Sequence, residues 1–261
     1  MNFYELTSRK NEKIKYIVKL CESSRERKSK GLFVIEGIRL CFDAFKSGYE
    51  IEETYITDNA YKKFMGKADE ILDSSNRIYM ITEDIAEKLS DTVNPQGIFC
   101  VVKIKAMKSE ALIENSKKYV ALQNVQDPSN LGAIARTAEA LGIAGIIIEG
   151  GCDIYNPKAL RASMGSLLRI NLIETKNLQN TIDLAGQNMV IFVTVPDDSA
   201  SKITEIDMSG GVIAIIGNEG NGISQELINA IPNRVTIPMR GNAESLNASA
   251  AAIITMWEMM R

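Results

Sequence analysis

The chain has 261 residues, which is enough for one large domain or two modest ones with a buried core. It is 45% hydrophobic and 24% charged with a formal net charge of −3, so the bulk composition is that of an ordinary globular protein and gives no overall nucleic-acid signal. Histidine is absent and the four cysteines are widely spaced, which removes the commonest general base and predicts that no metal is bound.

The location of the protein is predicted from two features of the sequence. No apolar run reaches the roughly 18 residues that a membrane helix needs. The first residues also lack the basic-then-apolar order of a signal peptide. We therefore expect a cytoplasmic protein without a membrane segment.

In chain order, the first half alternates between predicted helices and strands. Ile14, Ile17, Val18 and Cys21 follow helical spacing and predict an amphipathic helix over 11–22. The segments that follow are predicted as a strand at 31–35, a helix at 38–46, strands at 51–56 and 78–81, helices at 61–73 and 82–89, and a strand at 96–102.

The second half continues the same alternation. Strands are predicted at 119–122, 145–148, 189–195, 212–216 and 235–237, and helices at 130–141, 158–166, 224–231 and 248–260. Unbroken apolar runs among these strands are typical of a parallel sheet covered on both faces, and the sequence therefore predicts an α/β fold.

A domain boundary is predicted where apolar content falls. Residues 103–117 contain four Lys and two Glu and few apolar side chains. We therefore predict a first domain at 1–103, a linker at 104–117 and a second domain at 118–261.

Positive charge is concentrated at the start of the chain. Residues 1–30 contain nine Lys or Arg against four Asp or Glu, a net charge of 9 − 4 = +5. Two interpretations remain open, a solvated helix face or an arm that binds phosphate. The nine basic residues are Arg9, Lys10, Lys13, Lys15, Lys19, Arg25, Arg27, Lys28 and Lys30.

Two glycine- and asparagine-rich segments, 210–224 and 237–252, each join a predicted strand to a predicted helix. Their small side chains leave the backbone open to a ligand. The glycine order is G-x-x-G-x-G rather than the dinucleotide-binding G-x-G-x-x-G, and Ile237 stands where an acidic residue would hold a ribose. An oxidoreductase that binds NAD is therefore the weakest alternative.

Three motifs, in order, resemble those of the SpoU/TrmH family of RNA 2′-O-ribose methyltransferases. They are Asn124 to Arg136, Ile216 to Gly220, and Ile237 to Met239 with Ser245 to Ser249. Upstream, Phe33 to Gly37 and Asn94 to Ile98 are similar to the small substrate-binding domain of rRNA-modifying members. The resemblance covers nearly the whole chain.

The resemblance implies a C-terminal SPOUT methyltransferase domain with a trefoil knot and a parallel sheet, plus a smaller N-terminal α/β domain of the L30e-like type. It implies S-adenosylmethionine as cofactor, an RNA substrate with rRNA favoured over tRNA, and a homodimer formed through the C-terminal domain. A tRNA methyltransferase and a non-catalytic RNA-binding or ribosome-assembly factor remain as alternatives.

By motif position, the resemblance also implies the residues of the site. The cofactor-binding residues would be Thr194, Gly217, Asn218, Gly220, Ile237, Met239 and Leu246. The catalytic residues would be Asn130, Arg136, Glu219, Ser245 and Asn247. Because a guanidinium hardly ever loses its proton, we expect Arg136 to fix a phosphate and to stabilise the developing alkoxide.

Several of these residues have a purely structural alternative. Asn130 could cap its helix, and Ser245 and Asn247 could cap the last helix. Arg136 could be a surface ion-pair partner. The apolar last helix could pack in an ordinary core rather than in a dimer interface.

Overall fold

The computed structural model describes residues 3–105, 113–185 and 188–261. Up to residue 105 the strands are β1 (Phe3–Leu6), β2 (Leu32–Glu36), β3 (Ile51–Ile56), β4 (Ser75–Ile81) and β5 (Ile98–Lys103). In the same range the helices are α1 (Glu12–Glu22), α2 (Ser24–Lys30), α3 (Ile38–Lys46), α4 (Asp58–Asp73) and α5 (Glu83–Leu89).

From residue 113 onward the strands are β6 (Lys118–Gln123), β7 (Gly145–Glu149), β8 (Leu172–Thr175), β9 (Val190–Thr194), β10 (Ser201–Lys202), β11 (Val212–Ile216) and β12 (Arg234–Thr236). The helices are α6 (Pro128–Leu141), α7 (Pro157–Ala162), α8 (Leu178–Ala185), α9 (Gln225–Ala230) and α10 (Ala248–Met260). None of the described helices is both long and apolar enough to cross a membrane.

The described residues fall into two compact units. The first takes its residues from Met1–Ala106 and Asp153–Leu168, and the second from Met107–Cys152 and Arg169–Arg261. The predicted domain limits at 103 and 118 stay a prediction. The two units differ from two consecutive domains in one respect, because the first unit also includes a later segment of the chain. The segment Asp153–Leu168, which contains α7, belongs to the first unit although it lies far along the chain.

The first unit is built on a five-stranded sheet with the order β1-β4-β3-β5-β2. β4 is parallel to β1 and β3, whereas β5 is antiparallel to β2 and β3. Helix α1 begins at Asn11, whose side chain accepts a hydrogen bond from the backbone amide of Lys13. Of the predicted apolar stripe, Ile14 and Ile17 are fully buried and Val18 and Cys21 are half-buried; Leu20, which the prediction omitted, is also fully buried.

Helix α2 has the sequence SRERKSK and contains no apolar residue. It is held by Arg27, which is only 2% exposed. The Arg27 guanidinium donates to the carbonyl oxygens of Leu20 at 2.6 Å and Cys21 at 2.8 Å, and to Asp153 Oδ2 at 2.6 Å. The interpretation of the basic arm as a phosphate ligand is therefore wrong for Arg27, because its side chain is buried and hydrogen-bonded inside the first unit.

The second unit is built on a seven-stranded sheet with the order β10-β12-β9-β11-β6-β7-β8, and every strand pair in it is parallel. All five residues of the central strand β11 are buried. The predicted α/β class with a parallel sheet and a smaller N-terminal unit is confirmed. The trefoil knot that the resemblance implies stays a prediction.

Candidate functional site

A cleft of about 400 Å³ lies in the second unit, at the carboxyl ends of β9, β11 and β12. Loops that follow parallel strands meet at this edge of a sheet, and ligands of open α/β folds bind there. All seven residues predicted to bind the cofactor line the cleft, namely Thr194, Gly217, Asn218, Gly220, Ile237, Met239 and Leu246. Their role as cofactor ligands stays a prediction, but the fold brings them together.

The loop after β11 is closed on itself through Asn218. The Asn218 Oδ1 atom accepts from the amides of Gly220 at 2.8 Å and Asn221 at 3.0 Å. The Asn218 and Gly222 backbones also exchange a pair of hydrogen bonds. A Cβ atom on Gly217 would lie 2.3 Å from the carbonyl carbon of Gly222, so no larger residue fits without moving the loop.

Glu219 ties this loop to the first turn of α6. Its carboxylate accepts from the backbone amides of Gln126 at 3.1 Å and Asp127 at 3.3 Å, and from Asn130 Nδ2 at 2.7 Å. Partial burial acts to raise the pKa of this carboxyl, but the hydrogen bonds from Asn130 and the backbone amides outweigh it and lower the pKa below its ordinary value. Glu219 is therefore an anion at neutral pH and a poor general base.

Asn130 and Asn247 extend this contact into a chain of hydrogen bonds. Asn247 Nδ2 donates to Asn130 Oδ1 at 3.2 Å, and Asn130 in turn donates to Glu219. Three segments that are distant in sequence thus meet through side-chain hydrogen bonds. Asn130 is 7% exposed and points into the fold.

The first residues of α6 and α10 show which of the predicted site residues cap a helix. Asp127 caps α6, with Pro128 in the first turn, so Asn130 is not the N-cap residue. Asn247 does cap α10, because its Oδ1 accepts from the amides of Ser249 and Ala250. Capping by Oδ1 leaves the Asn247 amide nitrogen free to reach Asn130, so one side chain serves both purposes.

Ser245 and Arg136 are exposed to solvent. Ser245 lies in the lining of the cleft, whereas Arg136 does not. Among the residues that the structure describes, Arg136 has no hydrogen-bond or ion-pair partner, which argues against the surface ion-pair alternative. Its charge is therefore available to a group outside this chain.

Sequence reasoning missed a polar network at the carboxyl end of β6. Gln123 Nε2 donates to Glu149 Oε2 at 2.8 Å and to Ser224 Oγ at 3.1 Å, and the Ser224 amide donates to Gln123 Oε1 at 2.8 Å. Gln123 is 8% exposed at the end of β6. The one signal in the sequence was a glutamine at the end of a mostly apolar strand. That signal indicates a buried polar group but does not identify the residues that it bonds.

A metal site is also absent from the part of the chain that is described, since no group of three His, Cys, Asp or Glu side chains is placed to hold an ion.

We expect Glu219→Gln to lower the free energy of unfolding at pH 7 by about 1 kcal/mol, because a charged acceptor is lost at the start of α6. The folded-state pKa of Glu219 lies below its ordinary value of 4.5. The stability that the carboxylate contributes is therefore complete above that value and is lost as the pH falls through the folded-state pKa.

Urea unfolding of both proteins between pH 7 and pH 3 measures this effect, and the two curves of stability against pH should converge at the acid end. Glu244→Gln is the matched control, because Glu244 is exposed and has no hydrogen-bond or ion-pair partner among the described residues. A constant difference between wild type and Glu219→Gln at every pH would contradict the assignment.

Comparison with known proteins identifies both halves of the chain. Residues 117–257 match the SpoU rRNA Methylase family. Residues 11–100 match the MRM3-like substrate binding domain. The two matches follow each other in the sequence and account for most of it.

Individual relatives agree with these matches over nearly the full length. The chain is 30% identical to the 23S rRNA (guanosine(2553)-2′-O)-methyltransferase RlmP of Bacillus subtilis (strain 168), over 98% of each sequence. It is similar to the AdoMet-bound rRNA methyltransferase of Sinorhizobium meliloti, with a TM-score of 0.88 and 27% identity, covering 98% of this chain and 97% of that one. It is also similar to the SpoU methyltransferase AviRb of Streptomyces viridochromogenes in complex with AdoMet, with a TM-score of 0.85 and 25% identity, covering 96% and 97% of the two chains.

Proposed function

The chain belongs to the SpoU rRNA methylase family, and we propose that it is an S-adenosylmethionine-dependent enzyme that methylates a ribose 2′-hydroxyl of 23S rRNA. The observation that carries this proposal is the chain of hydrogen bonds from Asn247 through Asn130 to Glu219. It joins the three family motifs of the sequence beside one cleft. A scaffold freed from catalysis would have no need of this arrangement, which favours the enzyme over a ribosome-assembly factor.

The cleft fits the cofactor of the proposed reaction. Its volume of about 400 Å³ falls within the range of roughly 300–1,000 Å³ that small-molecule sites occupy. Gly217, Asn218 and Gly220 would present main-chain groups to an adenosine, while Ile237 and Leu246 would supply apolar contact. When bound, S-adenosylmethionine supplies a methyl group attached to a positively charged sulfur.

The predicted catalytic residues would carry the remaining steps of the reaction. Arg136 would hold a phosphate of the RNA and place its positive charge near the developing alkoxide. Asn130 would orient the substrate, and Glu219 acts through Asn130 as a positioning residue, since its lowered pKa makes it a poor base. Ser245 offers an exposed hydroxyl in the lining of the cleft.

The direct test is methyl transfer from radiolabelled S-adenosylmethionine to total RNA that lacks the native modification, with Arg136→Ala as the inactive control. Label in an rRNA ribose that disappears with the variant would support reaction, substrate and residue together. Label on tRNA alone would keep the reaction and overturn the substrate. Cofactor binding without any label would favour the assembly-factor alternative.

We expect Gly217→Ala to weaken S-adenosylmethionine binding at least tenfold, because the added methyl would collide with the backbone at Gly222 and displace the loop. Titration calorimetry measures the dissociation constant. Gly210→Ala is the matched control, since a Cβ there meets nothing within 4 Å. Equal affinity of the Gly217→Ala variant and wild type would show that this loop does not hold the cofactor.

The proposal includes a homodimer formed through α10. One face of this helix packs in the fold through Ala252, Met256 and Met259. Ile254, Trp257 and Met260, spaced three residues apart, are 39%, 62% and 40% exposed. An exposed apolar stripe of this kind marks a contact surface.

We expect Trp257→Lys to convert the dimer into a monomer, because a charge would be buried at the centre of the proposed interface. Light scattering after size exclusion measures the mass. Leu184→Lys, which changes another exposed apolar residue (74% exposed) on a different helix, should keep the mass of the wild type. A monomeric wild type would overturn this part of the proposal.

A further inference from the structure

Helix α2 presents three cations that the fold leaves unneutralised. Arg25, Lys28 and Lys30 are exposed, and none has a hydrogen-bond or ion-pair partner among the described residues. We call these three residues the α2 surface. Helix α2 carries four cations against the single anion Glu26, and only the buried Arg27 is matched by a carboxylate.

Three other cations of the same basic arm are already neutralised, whereas Lys10 and Lys19 are exposed and, like the α2 surface, have no ion-pair partner among the described residues. Arg9 lies 2.9 Å from Asp84, Lys13 lies 2.7 Å from Glu53, and Lys15 lies 2.7 Å from Glu12. The net charge of residues 1–30 therefore overstates what each cation can offer. The three paired cations are accounted for by contacts within the fold, whereas the α2 surface gathers three cations without such partners on one short helix.

Helix α2 is held to the first unit by a buried arginine rather than by apolar side chains. A short helix that is polar on every side gains nothing from the hydrophobic core and is marginal by itself. Here the only buried residue is Arg27, fixed by two carbonyl oxygens and Asp153. Burying an ion pair costs desolvation that an apolar pair would avoid, so stability alone does not account for this anchor. The Arg27–Asp153 pair holds α2 in place and thereby fixes the positions of Arg25, Lys28 and Lys30 on the surface.

We propose that the α2 surface binds the phosphodiester backbone of the RNA substrate. This proposal rests on the proposed function, since it assumes that RNA is the macromolecule that the enzyme engages. Phosphates are the groups that unpaired arginine and lysine side chains neutralise, and such contacts position a nucleic acid without reading its sequence. The α2 surface shares no residue with the lining of the cleft.

The test measures the affinity for an unmodified 23S rRNA transcript as a function of KCl between about 50 and 200 mM. The triple variant Arg25→Gln, Lys28→Gln, Lys30→Gln should bind more weakly, with a slope of log K against log salt shallower by about 2 to 3, roughly 0.7–0.9 per lost phosphate contact. A charge-preserving set, Arg25→Lys, Lys28→Arg, Lys30→Arg, should keep the slope of the wild type.

The matched control removes three exposed charges that are ion-paired in the first unit, through Lys15→Gln, Lys46→Gln and Lys62→Gln. If this control lowers the slope as much as the triple variant does, the effect is one of general charge and the α2 surface is not a site. An unchanged slope in the triple variant would overturn the proposal as well.

Methyl transfer by the same preparations separates this proposal from the proposed function. If the wild type methylates the transcript while the triple variant keeps its affinity and slope, only the α2 surface is refuted. If the wild type neither binds nor methylates rRNA, the proposed function itself fails. A circular dichroism melt of each variant shows whether the fold is retained.

Discussion

Arg136→Ala is expected to lower the single-turnover rate of methyl transfer about 10²- to 10³-fold while leaving S-adenosylmethionine affinity unchanged, because a charge that stabilises the developing alkoxide is lost. Arg136 lies outside the lining of the cleft, so the cofactor should not sense the change. It is exposed and lacks a partner among the described residues, so the free energy of unfolding should change by no more than about 0.5 kcal/mol.

The variant Arg136→Lys shows whether methyl transfer needs the planar guanidinium group of Arg136 or only its positive charge. A lysine keeps the charge but cannot make the paired, parallel hydrogen bonds of a guanidinium to a phosphate. We expect most of the rate loss to persist in this variant, and a full rate would sink the assignment. Arg234→Ala removes another exposed arginine of the second unit and should leave the rate unchanged.

The cleft could be predicted because its lining is local in sequence. Glycine and asparagine next to a strand end leave backbone exposed, and parallel strands bring such ends to one edge of the sheet. Gly217, Asn218 and Ile237 therefore lie together as expected. Their assignment to a cofactor came from the resemblance, not from the pattern.

The hydrogen bonds of the site could not be predicted in the same way. Glu219 and Asn130 are 89 positions apart, and the residue types alone do not show that these two side chains bond to each other. The start of α6 is different, because Asp127 followed by Pro128 is a recognised N-cap and first-turn signature. Using it would have moved the predicted helix start from 130 to 128 and removed the capping alternative for Asn130.

Sequence reasoning missed β8 and α8 although both contain buried apolar residues, and it missed α2 and β1, which lack a regular apolar pattern. Helix α2 has no apolar residue, and β1 is a four-residue edge strand whose first three residues are exposed. The helix predicted over 158–166 stops at Ala162, because Met164 and Gly165 take left-handed backbone angles of φ 51° and 88°. Such breaks depend on packing that lies outside the local sequence.

Asp153→Ala is expected to destabilise the protein by about 3–5 kcal/mol, because it leaves the Arg27 guanidinium buried without a counter-charge. The two side chains are 2% and 9% exposed, so water cannot replace the lost carboxylate. Urea unfolding followed by circular dichroism measures the change. Asp91→Ala removes the carboxylate that Arg161 reaches at 3.3 Å, and because that carboxylate is 63% exposed the cost should be no more than about 1 kcal/mol.

A double variant shows whether the cost comes from the unpaired charge or from lost packing. Arg27→Met with Asp153→Leu removes both charges and keeps apolar volume, so it should be more stable than Asp153→Ala alone. If instead Asp153→Ala costs less than about 1 kcal/mol, the Arg27 charge reaches water and α2 is not fixed by this pair. If the double variant is stable but has lost the salt dependence of RNA binding, the ion pair is retained to hold the α2 surface in place rather than to stabilise the fold.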